Sequence, residues 1–415
     1  MKKYKHLFDK IATYKNFKEA FKKASKGKAH YKEVKIIKRN PNRVLYNLYR
    51  HVKNGTYKVG GYKIFDLYTG NKWRTIYKLS MRDRIVQHAI MNIIEPIFRE
   101  SFIPDTFQSI KGRGIHLCLK RVKQAIKDKE NTIYYAKLDI HKCYPSLDQN
   151  ILKQKLAKKF TDKKLLALLY VIIDSCDKGV PIGNYTSQYF NNFYFNDLDH
   201  YAKEVLQIIY YFRYCDDIVI FGKTKEEVEY NIEKLKNYIA TLNVELKPNI
   251  VIYELDVHAL DFVGYVINRE VVKVRKRIKL KFIAKCKVMD FNNLSKRDIN
   301  ILGSYYGILI HADCRNLWYK YTGVKEFKDL QIKVHNRTYI KNILDEEIIV
   351  KDCQFYSRCG ETRVKLLIDT STDKDLYVST SGEMIVEAAK QFRKNHFPFK
   401  TKITTNEQTG YYQFV

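Results

Sequence analysis

Apolar and polar residues alternate along residues 57–79, and a T-G-N turn at residues 69–71 interrupts the pattern. Such alternation on either side of a turn predicts a β-hairpin with basic residues at its tip. Ser80 followed by Asp83 resembles a capping box, which predicts that a helix begins here. The helix is expected to end near Pro96 and to bury the apolar residues that recur at helical spacing, namely Ile85, Val86, Ala89, Ile90, Ile93, Ile94 and Ile97.

Two later apolar segments lead to acidic residues. Residues 133–140 have the pattern of a buried strand that ends at Asp139, and residues 207–221 contain two apolar runs joined by a C-D-D triplet. The second segment predicts a β-hairpin with Asp216 and Asp217 at its tip. The next segment predicts a helix, whose apolar face comprises Val228, Ile232, Leu235, Ile239 and Leu242.

The charge of the chain indicates a polyanionic partner. Its 415 residues include 76 Lys and Arg but only 45 Asp and Glu, so the formal net charge is +31. Residues 1–39 contain fourteen basic and three acidic residues, which predicts a basic helical extension or, as an open alternative, a solvated helix. Nucleic acid is favoured over a membrane surface or the codon bias of an AT-rich genome, because such a bias also raises Glu.

Several protein classes are disfavoured by composition. No run of about 18 uncharged apolar residues predicts a membrane-spanning helix, and the first residues lack the apolar run of a signal peptide, so a cytoplasmic protein is expected. The eight cysteines have no C-x-x-C spacing and are expected to be free thiols in a reducing compartment. The apolar content of 45% suffices for folded cores in two to three domains.

The acids at the strand ends are candidates for metal chemistry. A carboxylate buried beside an apolar strand is costly unless a cation compensates its charge. Oxygen ligands without neighbouring His or Cys favour Mg²⁺ over Zn²⁺. One interpretation is a two-metal site on Asp139, Asp216 and Asp217, and the other is that Asp216 and Asp217 simply form a polar hairpin turn.

Seven segments, in a fixed order over about residues 60–320, resemble the bacterial reverse transcriptases. The segments are NKWRTIYKLSMRDRIVQHAI, FQSIKGRGIHLCL, KLDIHKCYPSL, GVPIGNYTSQYFNNFYFNDLDH, RYCDDIVIFG, DFVGYVI and GSYYGILIHADCRNL. Within this family, the I-G-N-x-T-S-Q motif resembles the enzymes of diversity-generating retroelements and of several defence-associated lineages, which are related to the group II intron reverse transcriptases.

The resemblance implies an α+β right-hand polymerase with fingers, a palm of antiparallel sheet plus helices, a helical thumb and a small β-rich C-terminal region. The expected segments are a basic helical N-terminal extension (1–56), fingers (57–135), palm with interleaved fingers segments (136–270), basic thumb (271–345) and a small β-rich C-terminal domain (346–415).

The resemblance also implies roles for individual residues. Asp139 and Asp216 match the main metal ligands, with Asp217 beside them and the Ile140 carbonyl assisting, around two Mg²⁺ ions for which Mn²⁺ is a substitute. The three Asp residues are the expected catalytic residues. The substrate-binding residues implied are Arg74 on the triphosphate, Tyr144 as the aromatic gate against a 2′-hydroxyl, and Ile182, Gly183 and Gln188 of the motif B segment.

Three of the substrate-binding residues have a simpler alternative. Without the motif, Tyr144 is an ordinary core tyrosine and Arg74 a solvated loop residue. Ile182 stands where retroviral relatives have Gln, which hints at relaxed fidelity, although an aliphatic residue that only packs the turn is an equal alternative. The family also places a lysine shortly after the motif D proline, whereas here Lys247 precedes Pro248, so proton donation by Lys247 is a hypothesis.

Residues 271–287 contain eight basic residues and no acid. They follow the primer-grip motif, so the resemblance implies that they track a template–primer duplex, with membrane binding as the lesser alternative. The tail, residues 346–415, is aromatic and basic. This composition suits a surface that stacks on single-stranded RNA or, equally, a small β domain whose aromatic rings point inward. The residues expected to bind nucleic acid are Lys273, Arg275, Lys276, Arg277, Lys279 and Lys281, and the tail rings are Tyr356, Phe397, Phe399, Tyr411, Tyr412 and Phe414.

The function implied is an RNA-directed DNA polymerase that makes cDNA from an associated noncoding RNA, in antiphage defence. The region beyond the thumb favours defence, and an error-prone enzyme of a diversity-generating retroelement is the alternative within the family. A non-catalytic RNA-binding or maturase-like protein and an RNA-dependent RNA polymerase are the alternatives outside it. The expected partners are a structured template RNA encoded nearby, the cDNA product and dNTPs, without a membrane, and with a homo-oligomer or a small accessory protein left open. The implied setting is the cytoplasm, in a bacterial or phage-encoded system.

Overall fold

The structure is a computed structural model that divides into two compact units, Met1–Glu270 and Val271–Val415. The division falls where the composition changes, and the finer five-segment division stays a prediction. The residues that the structure describes are 2–69, 72–291, 294–327, 337–338, 347–358, 361–370, 376–380, 385–386, 389, 398–405 and 412–414.

The first unit contains twelve described α-helices, one π-helix and nine strands. The α-helices are α1 (Phe8–Ile11), α2 (Tyr14–Ser25), α3 (Lys32–Arg39), α4 (Pro41–Lys53), α5 (Met81–Ser101), α6 (Ile115–Ala125), α7 (Cys143–Ser146), α8 (Gln149–Lys159), α9 (Lys163–Ile173), α10 (Tyr185–Tyr194), α11 (Asn196–His200) and α12 (Lys225–Ala240), and the π-helix is Tyr201–Val205. The strands are β1 (Tyr62–Thr69), β2 (Lys72–Leu79), β3 (Thr106–Phe107), β4 (Tyr134–Asp139), β5 (Tyr211–Tyr214), β6 (Asp217–Gly222), β7 (Ile252–Glu254), β8 (Leu260–Phe262) and β9 (Tyr265–Ile267).

The basic N-terminal segment is helical and has one buried face. Leu7, Ile11 and Phe17 are almost fully buried and belong to the same hydrophobic core as the apolar residues of α5. Its lysines are exposed, apart from the half-buried Lys28. The segment is therefore amphipathic, with its apolar face packed and its basic face solvated.

The predicted hairpin and the helix after it are both present. β1 and β2 pair antiparallel, and Ser80 accepts a hydrogen bond from the backbone N–H of Asp83 at the start of α5. The prediction that this helix ends near Pro96 was wrong, since α5 continues to Ser101. The proline removes one backbone hydrogen bond, but the helix continues because the next turn buries Ile97 and Phe98 in the core.

A five-stranded sheet in the order β3-β5-β6-β4-β7 forms the centre of the first unit. β6 pairs antiparallel with β5, which confirms the hairpin predicted for residues 207–221. β4 also pairs antiparallel with β6. Leu138, Ile218 and Ile220 are fully buried in the core on one face of this sheet. Since neighbouring strand residues point to opposite faces, the other face carries Asp139 and Asp217.

The second unit contains three described helices and seven strands. These are β10 (Val272–Val274), α13 (Lys276–Lys287), α14 (Lys296–Leu309), α15 (Arg315–Thr322), β11 (Arg337–Thr338), β12 (Glu347–Arg358), β13 (Glu361–Asp369), β14 (Leu376–Thr380), β15 (Phe399–Thr405) and β16 (Tyr412–Phe414). Six of the strands form one sheet in the order β11-β14-β13-β12-β15-β16, with its own buried core.

The expectation of helical structure through residue 345 was wrong at Arg337–Thr338, which pair with β14 in parallel. The tail is β-rich, as its turn-rich pattern predicts. Of the tail aromatic residues, Phe397 and Tyr411 lie outside the described residues. Among the helices that the structure describes, none is both long and apolar enough to cross a membrane.

Candidate active site

Asp139 and Asp217 lie directly opposite each other at the end of the β4–β6 pair. Asp216 is held at the same point, because its carbonyl oxygen accepts a hydrogen bond from the Ile140 N–H (3.1 Å). The preceding residue, Cys215, has φ of 58°, which makes the turn between β5 and β6 tight. The three Asp residues predicted from the sequence are thus adjacent, although they come from segments more than seventy residues apart.

Two lysines neutralise carboxylates at this turn. Lys247 forms an ion pair with Oδ2 of Asp139, and Nζ of Lys137 lies 3.3 Å from Oδ1 of Asp217. Burial raises the pKa of the Asp217 carboxyl, Lys137 opposes that shift, and the neighbouring carboxylates add to it. Nearby cations therefore stabilise the charged form of these clustered carboxylates.

The oxygen-rich donor set fits a divalent cation. Oδ1 of Asp139 is buried and has no hydrogen-bond partner, which is costly for a carboxylate oxygen unless a ligand satisfies it. Within the described part of the chain, no group of three or more His, Cys, Asp or Glu side chains is already gathered as a metal site. The metal-ligand roles of Asp139, Ile140, Asp216 and Asp217 accordingly remain predictions, supported by this unpartnered oxygen.

Tyr144 lies beside the same turn. Its hydroxyl accepts a hydrogen bond from the Cys215 thiol (3.8 Å), and burial raises its pKa well above the usual range. Its backbone carbonyl accepts from Val180 N–H (3.0 Å), which joins it to the loop before α10. Asn191 contacts the thiols of Cys143 and Cys215 from below, accepting from the first (2.9 Å) and donating to the second (3.4 Å). Tyr144 is therefore held beside Cys215, the residue that precedes Asp216 in sequence.

A buried ion pair supports the turn from the opposite face of the sheet. The guanidinium of Arg213 donates to both oxygens of Asp199, at 2.7 and 2.6 Å, and neither side chain is exposed. The same guanidinium donates to the Cys215 carbonyl (3.0 Å). The hydroxyl groups of Tyr211 and Thr106 donate hydrogen bonds to Asp199. This fully bonded network fixes the backbone of the turn.

The loop before α10 packs against strand β2. The Tyr77 N–H donates to the Ile182 carbonyl (2.9 Å). Gly183 has φ of 122°, and a Cβ there would lie 2.6 Å from the Tyr77 carbonyl oxygen. Only glycine fits this close approach. At the start of α10, the buried side-chain oxygen of Gln87 accepts from the N–H of Tyr185 (2.8 Å), which fixes the loop from α5.

Other predicted site residues are not gathered at the turn. Arg74 pairs with Leu67 in the β1–β2 hairpin and is exposed, and Gln188 is exposed on α10. The hairpin also exposes Trp73, at 71% of its surface. Of the six predicted nucleic-acid-binding residues in the second unit, Arg275 is half-buried and the other five are exposed, namely Lys273, Lys276, Arg277, Lys279 and Lys281.

Sequence reasoning missed Lys137, Arg213, Asp199, Gln87 and Asn191. The K-x-D spacing was a usable signal for Lys137, because residues two apart on a strand share a face. The other four are buried polar residues whose partners are distant in sequence, and no local pattern marks them.

The sequence profile of the reverse transcriptase (RNA-dependent DNA polymerase) family matches residues 67–267. A domain of unknown function (DUF8468) matches residues 334–415. The first match runs from the last residues of β1 to the end of β9 and therefore includes all three Asp residues of the turn.

Among curated proteins, the chain is similar to the retron Ec73 reverse transcriptase of Escherichia coli, with 25% identity over 43% of this chain and 58% of that protein. It is also similar to protein YkfC of Escherichia coli strain K12, with 24% identity over 33% of this chain and 39% of that protein. The putative COX1/OXI3 intron 2 protein of Saccharomyces cerevisiae matches with 26% identity over 32% of this chain and 17% of that protein. The chain thus spans at most 58% of the length of these relatives.

Among solved structures, the chain is similar to apo telomerase from Candida tropicalis, with a TM-score of 0.44, 13% identity, and coverage of 68% of this chain and 60% of that chain. Telomerase from Candida albicans with a fragment of telomeric RNA gives a TM-score of 0.41 and 11% identity, over 67% of this chain and 56% of that chain.

Proposed function

Residues 67–267 form a reverse transcriptase domain, and on that premise we propose that the protein is an RNA-directed DNA polymerase that copies an associated noncoding RNA into cDNA. The observation that carries the proposal is the β4–β6 register, which sets Asp139 opposite Asp217 with Asp216 one residue away. Carboxylates brought together in this way support a two-metal site for nucleotidyl transfer.

Asp139, Asp216 and Asp217, with the Ile140 carbonyl, would hold two Mg²⁺ ions, or Mn²⁺ as a substitute. When bound, the ions supply activation of the primer 3′-hydroxyl and neutralisation of the leaving pyrophosphate. The protein's own contribution is to hold these oxygens at one turn. Lys137 and Lys247 balance the carboxylate charge around it.

The substrate dNTP would be positioned by residues of three segments. Arg74 would bind the triphosphate through its planar guanidinium. Tyr144 would fill the space below the sugar, so that a 2′-hydroxyl clashes with the ring. Ile182 and Gly183 would line the nucleotide from the loop that packs against β2, with Gln188 on the following helix.

We assign a right-hand architecture to the chain as part of this proposal. It has a helical extension (1–56), fingers (57–135), palm (136–270), a thumb (271–345) that holds the template–primer duplex with its basic residues, and a β-rich domain (346–415). The template RNA, the cDNA and dNTPs are its partners, in the cytoplasm of a bacterial or phage-encoded system. A homo-oligomer or an accessory protein is compatible with this assignment.

Antiphage defence is the biological role we propose. It is supported by the similarity to a retron reverse transcriptase and by the additional β-rich domain. The second candidate is the error-prone enzyme of a diversity-generating retroelement, which Ile182 at the motif B turn favours.

The catalytic assignment is tested by Asp216→Ala with Asp217→Ala. The double variant should lose cDNA synthesis by at least about a thousandfold in a primer-extension assay, while circular dichroism and RNA binding stay unchanged. Glu233→Gln, which removes an exposed carboxylate of α12, is the matched control and should extend at the normal rate. Retained synthesis in the double variant would refute the site.

The biological role is tested by sequencing the RNA and cDNA that co-purify with the protein. Defence predicts one defined noncoding RNA with an internal copied segment. Diversification instead predicts a protein-coding repeat whose cDNA carries errors at template adenines. A non-catalytic RNA-binding protein would yield RNA without cDNA.

A further inference from the structure

A cavity of the first unit lies away from the carboxylate turn. It has a volume of about 700 Å³ and is formed between one face of α6 and the segment that leads from the π-helix into β5. The α6 residues that line it share one helix face, because they are spaced three or four residues apart along the helix. They are Leu117, Lys120, Arg121 and Gln124. None of these residues has a role in the site described above.

The floor of this cavity is apolar and aromatic. Phe212 and Ala125 are buried, and Ile209 leaves 55% of its surface exposed. Tyr210 lines the cavity and is fixed by the hydrogen bond from its hydroxyl to Asp128 (2.9 Å). A fixed ring beside aliphatic side chains is a surface on which a flat, partly apolar group packs well.

The rim of the cavity is cationic. Nζ of Lys203 donates to the carbonyl oxygens of Ile208 (2.8 Å) and Ile209 (2.7 Å), which orients the ammonium group and leaves one of its three protons unused by these bonds. Burial lowers the pKa of Lys203, so an anion at the ammonium group would offset its lost hydration.

Lys120 is exposed on α6 and makes no ion pair within the described residues. The one acid of the lining, Asp105, is already neutralised by Arg121 through bonds of 2.6 and 3.3 Å. The lining therefore has a net positive charge, and Lys120 and Lys203 are its uncompensated cations.

We propose that this cavity, which we call the α6 groove, binds a single-stranded segment of RNA, with a base packed against Tyr210 and Ile209 and the backbone phosphates on Lys120 and Lys203. Aromatic and apolar floors with basic rims are the usual design of sites for single-stranded nucleic acid. A duplex hides its base faces by stacking and is too wide to enter a cavity of this size. An acidic peptide would satisfy the rim but would leave the aromatic floor unused.

The groove is separate from the carboxylate turn, since none of Asp139, Asp216 and Asp217 lines it. The inference rests on the proposed function, since copying an associated RNA supplies an RNA partner. The groove would hold an unpaired part of that RNA while another part serves as template.

The test compares two charge reversals on one helix. Lys120→Glu changes the groove, and Lys123→Glu makes the same change on α6 at an exposed residue that does not line the groove. The probe is a fluorescein-labelled oligouridine of about twelve nucleotides, followed by anisotropy in KCl between about 50 and 200 mM. Lys120→Glu should weaken binding roughly tenfold and lower the salt slope by about one, whereas Lys123→Glu should change the affinity less than about twofold.

A second measurement locates the contact directly. An oligouridine containing 4-thiouridine, irradiated on the wild-type protein and analysed by mass spectrometry, should cross-link within residues 203–212. Tyr210→Leu should remove that cross-link and weaken binding roughly tenfold, with a melting temperature measured alongside to confirm folding.

Three results would overturn the groove assignment. They are equal effects of Lys120→Glu and Lys123→Glu, cross-links only outside the groove, or competition by a duplex as effective as that by the single strand. Extension of a short pre-annealed primer–template by the same preparations is scored separately. If extension is normal but the groove variants bind RNA like the control variant, only the groove proposal is refuted. If the wild-type protein does not extend the primer, the proposed function is refuted.

Discussion

Lys247 contacts Asp139 twice, once through its ammonium group, which forms an ion pair with the carboxylate, and once through its backbone N–H, which donates to the Asp139 carbonyl oxygen (2.8 Å). Lys247 therefore reaches the candidate site from a position before Pro248, whereas the family pattern places its lysine after the proline. The ammonium group thus contacts a candidate metal ligand, and this contact supports the hypothesis that Lys247 donates a proton.

Replacement of Lys247 tests that hypothesis. Lys247→Met should slow single-nucleotide extension by roughly a hundredfold, the usual contribution of a general acid. Lys247→Arg keeps a positive charge for Asp139 but does not release a proton at ordinary pH, so it should be as slow as Lys247→Met. Rapid-quench kinetics measures both variants. A normal rate in Lys247→Arg would show that Lys247 acts only by neutralising charge. Unchanged rates in Lys247→Met would show that Lys247 has no role in catalysis.

Tyr144 should decide the choice between deoxyribose and ribose. Tyr144→Ala removes the ring and should raise the relative incorporation of rNTPs by about tenfold or more, because a steric clash is lost. Tyr144→Phe keeps the ring and loses only the contact with Cys215, so its discrimination should match the wild type. Competition between dNTPs and rNTPs in one extension assay reports the ratio. If Tyr144→Ala discriminates between dNTPs and rNTPs as well as the wild type does, Tyr144 is only a core residue.

The Arg213–Asp199 pair should be essential to stability. Asp199→Asn leaves the guanidinium buried without a counter-charge, which costs about 3–5 kcal/mol. The first unit should then melt earlier in differential scanning calorimetry and lose extension activity, because Arg213 also holds the Cys215 carbonyl. The double variant Arg213→Met with Asp199→Leu removes both charges and should be less destabilised than Asp199→Asn. The opposite order would contradict this account.

His88 should make the first unit sensitive to mild acid. Burial, the largest cause, and nearby lysines lower its pKa to about 4 from an ordinary value of 6.5, and its ring stacks on Tyr185 with centroids 4.4 Å apart. A histidine with a depressed pKa binds protons more readily when unfolded, so stability falls as the pH decreases from about 6.5 towards 4.

The expected loss between neutral pH and pH 5 is about 1 kcal/mol after allowance for solvent around the partly exposed ring. Urea unfolding at the two pH values measures it. His88→Gln cannot titrate and should show a smaller difference. The control substitution His30→Gln replaces an exposed histidine and should leave the difference unchanged. An equal pH dependence in His88→Gln would assign the acid sensitivity to other groups.

Local patterns determined the parts of the site that depend on neighbouring residues. The apolar strand that ends at Asp139 and the two apolar runs around Asp216 and Asp217 predicted three strands, because burial on a sheet requires such runs. The Ser80 cap and the alternation of the hairpin likewise follow from interactions within a few residues. The order of the motifs added the family and its expected ligands.

Only the tertiary structure decided what surrounds those acids. Lys247 lies 108 residues after Asp139, and Lys137 lies 80 before Asp217, so their pairing depends on how the strands and the connecting loop assemble. The fit of Gly183 against the Tyr77 carbonyl and the burial of Arg213 with Asp199 depend on packing between elements, which one-dimensional periodicity does not encode. The sequence by itself thus specified which carboxylates stand at strand ends, while long-range packing selected their cationic partners and formed the α6 groove.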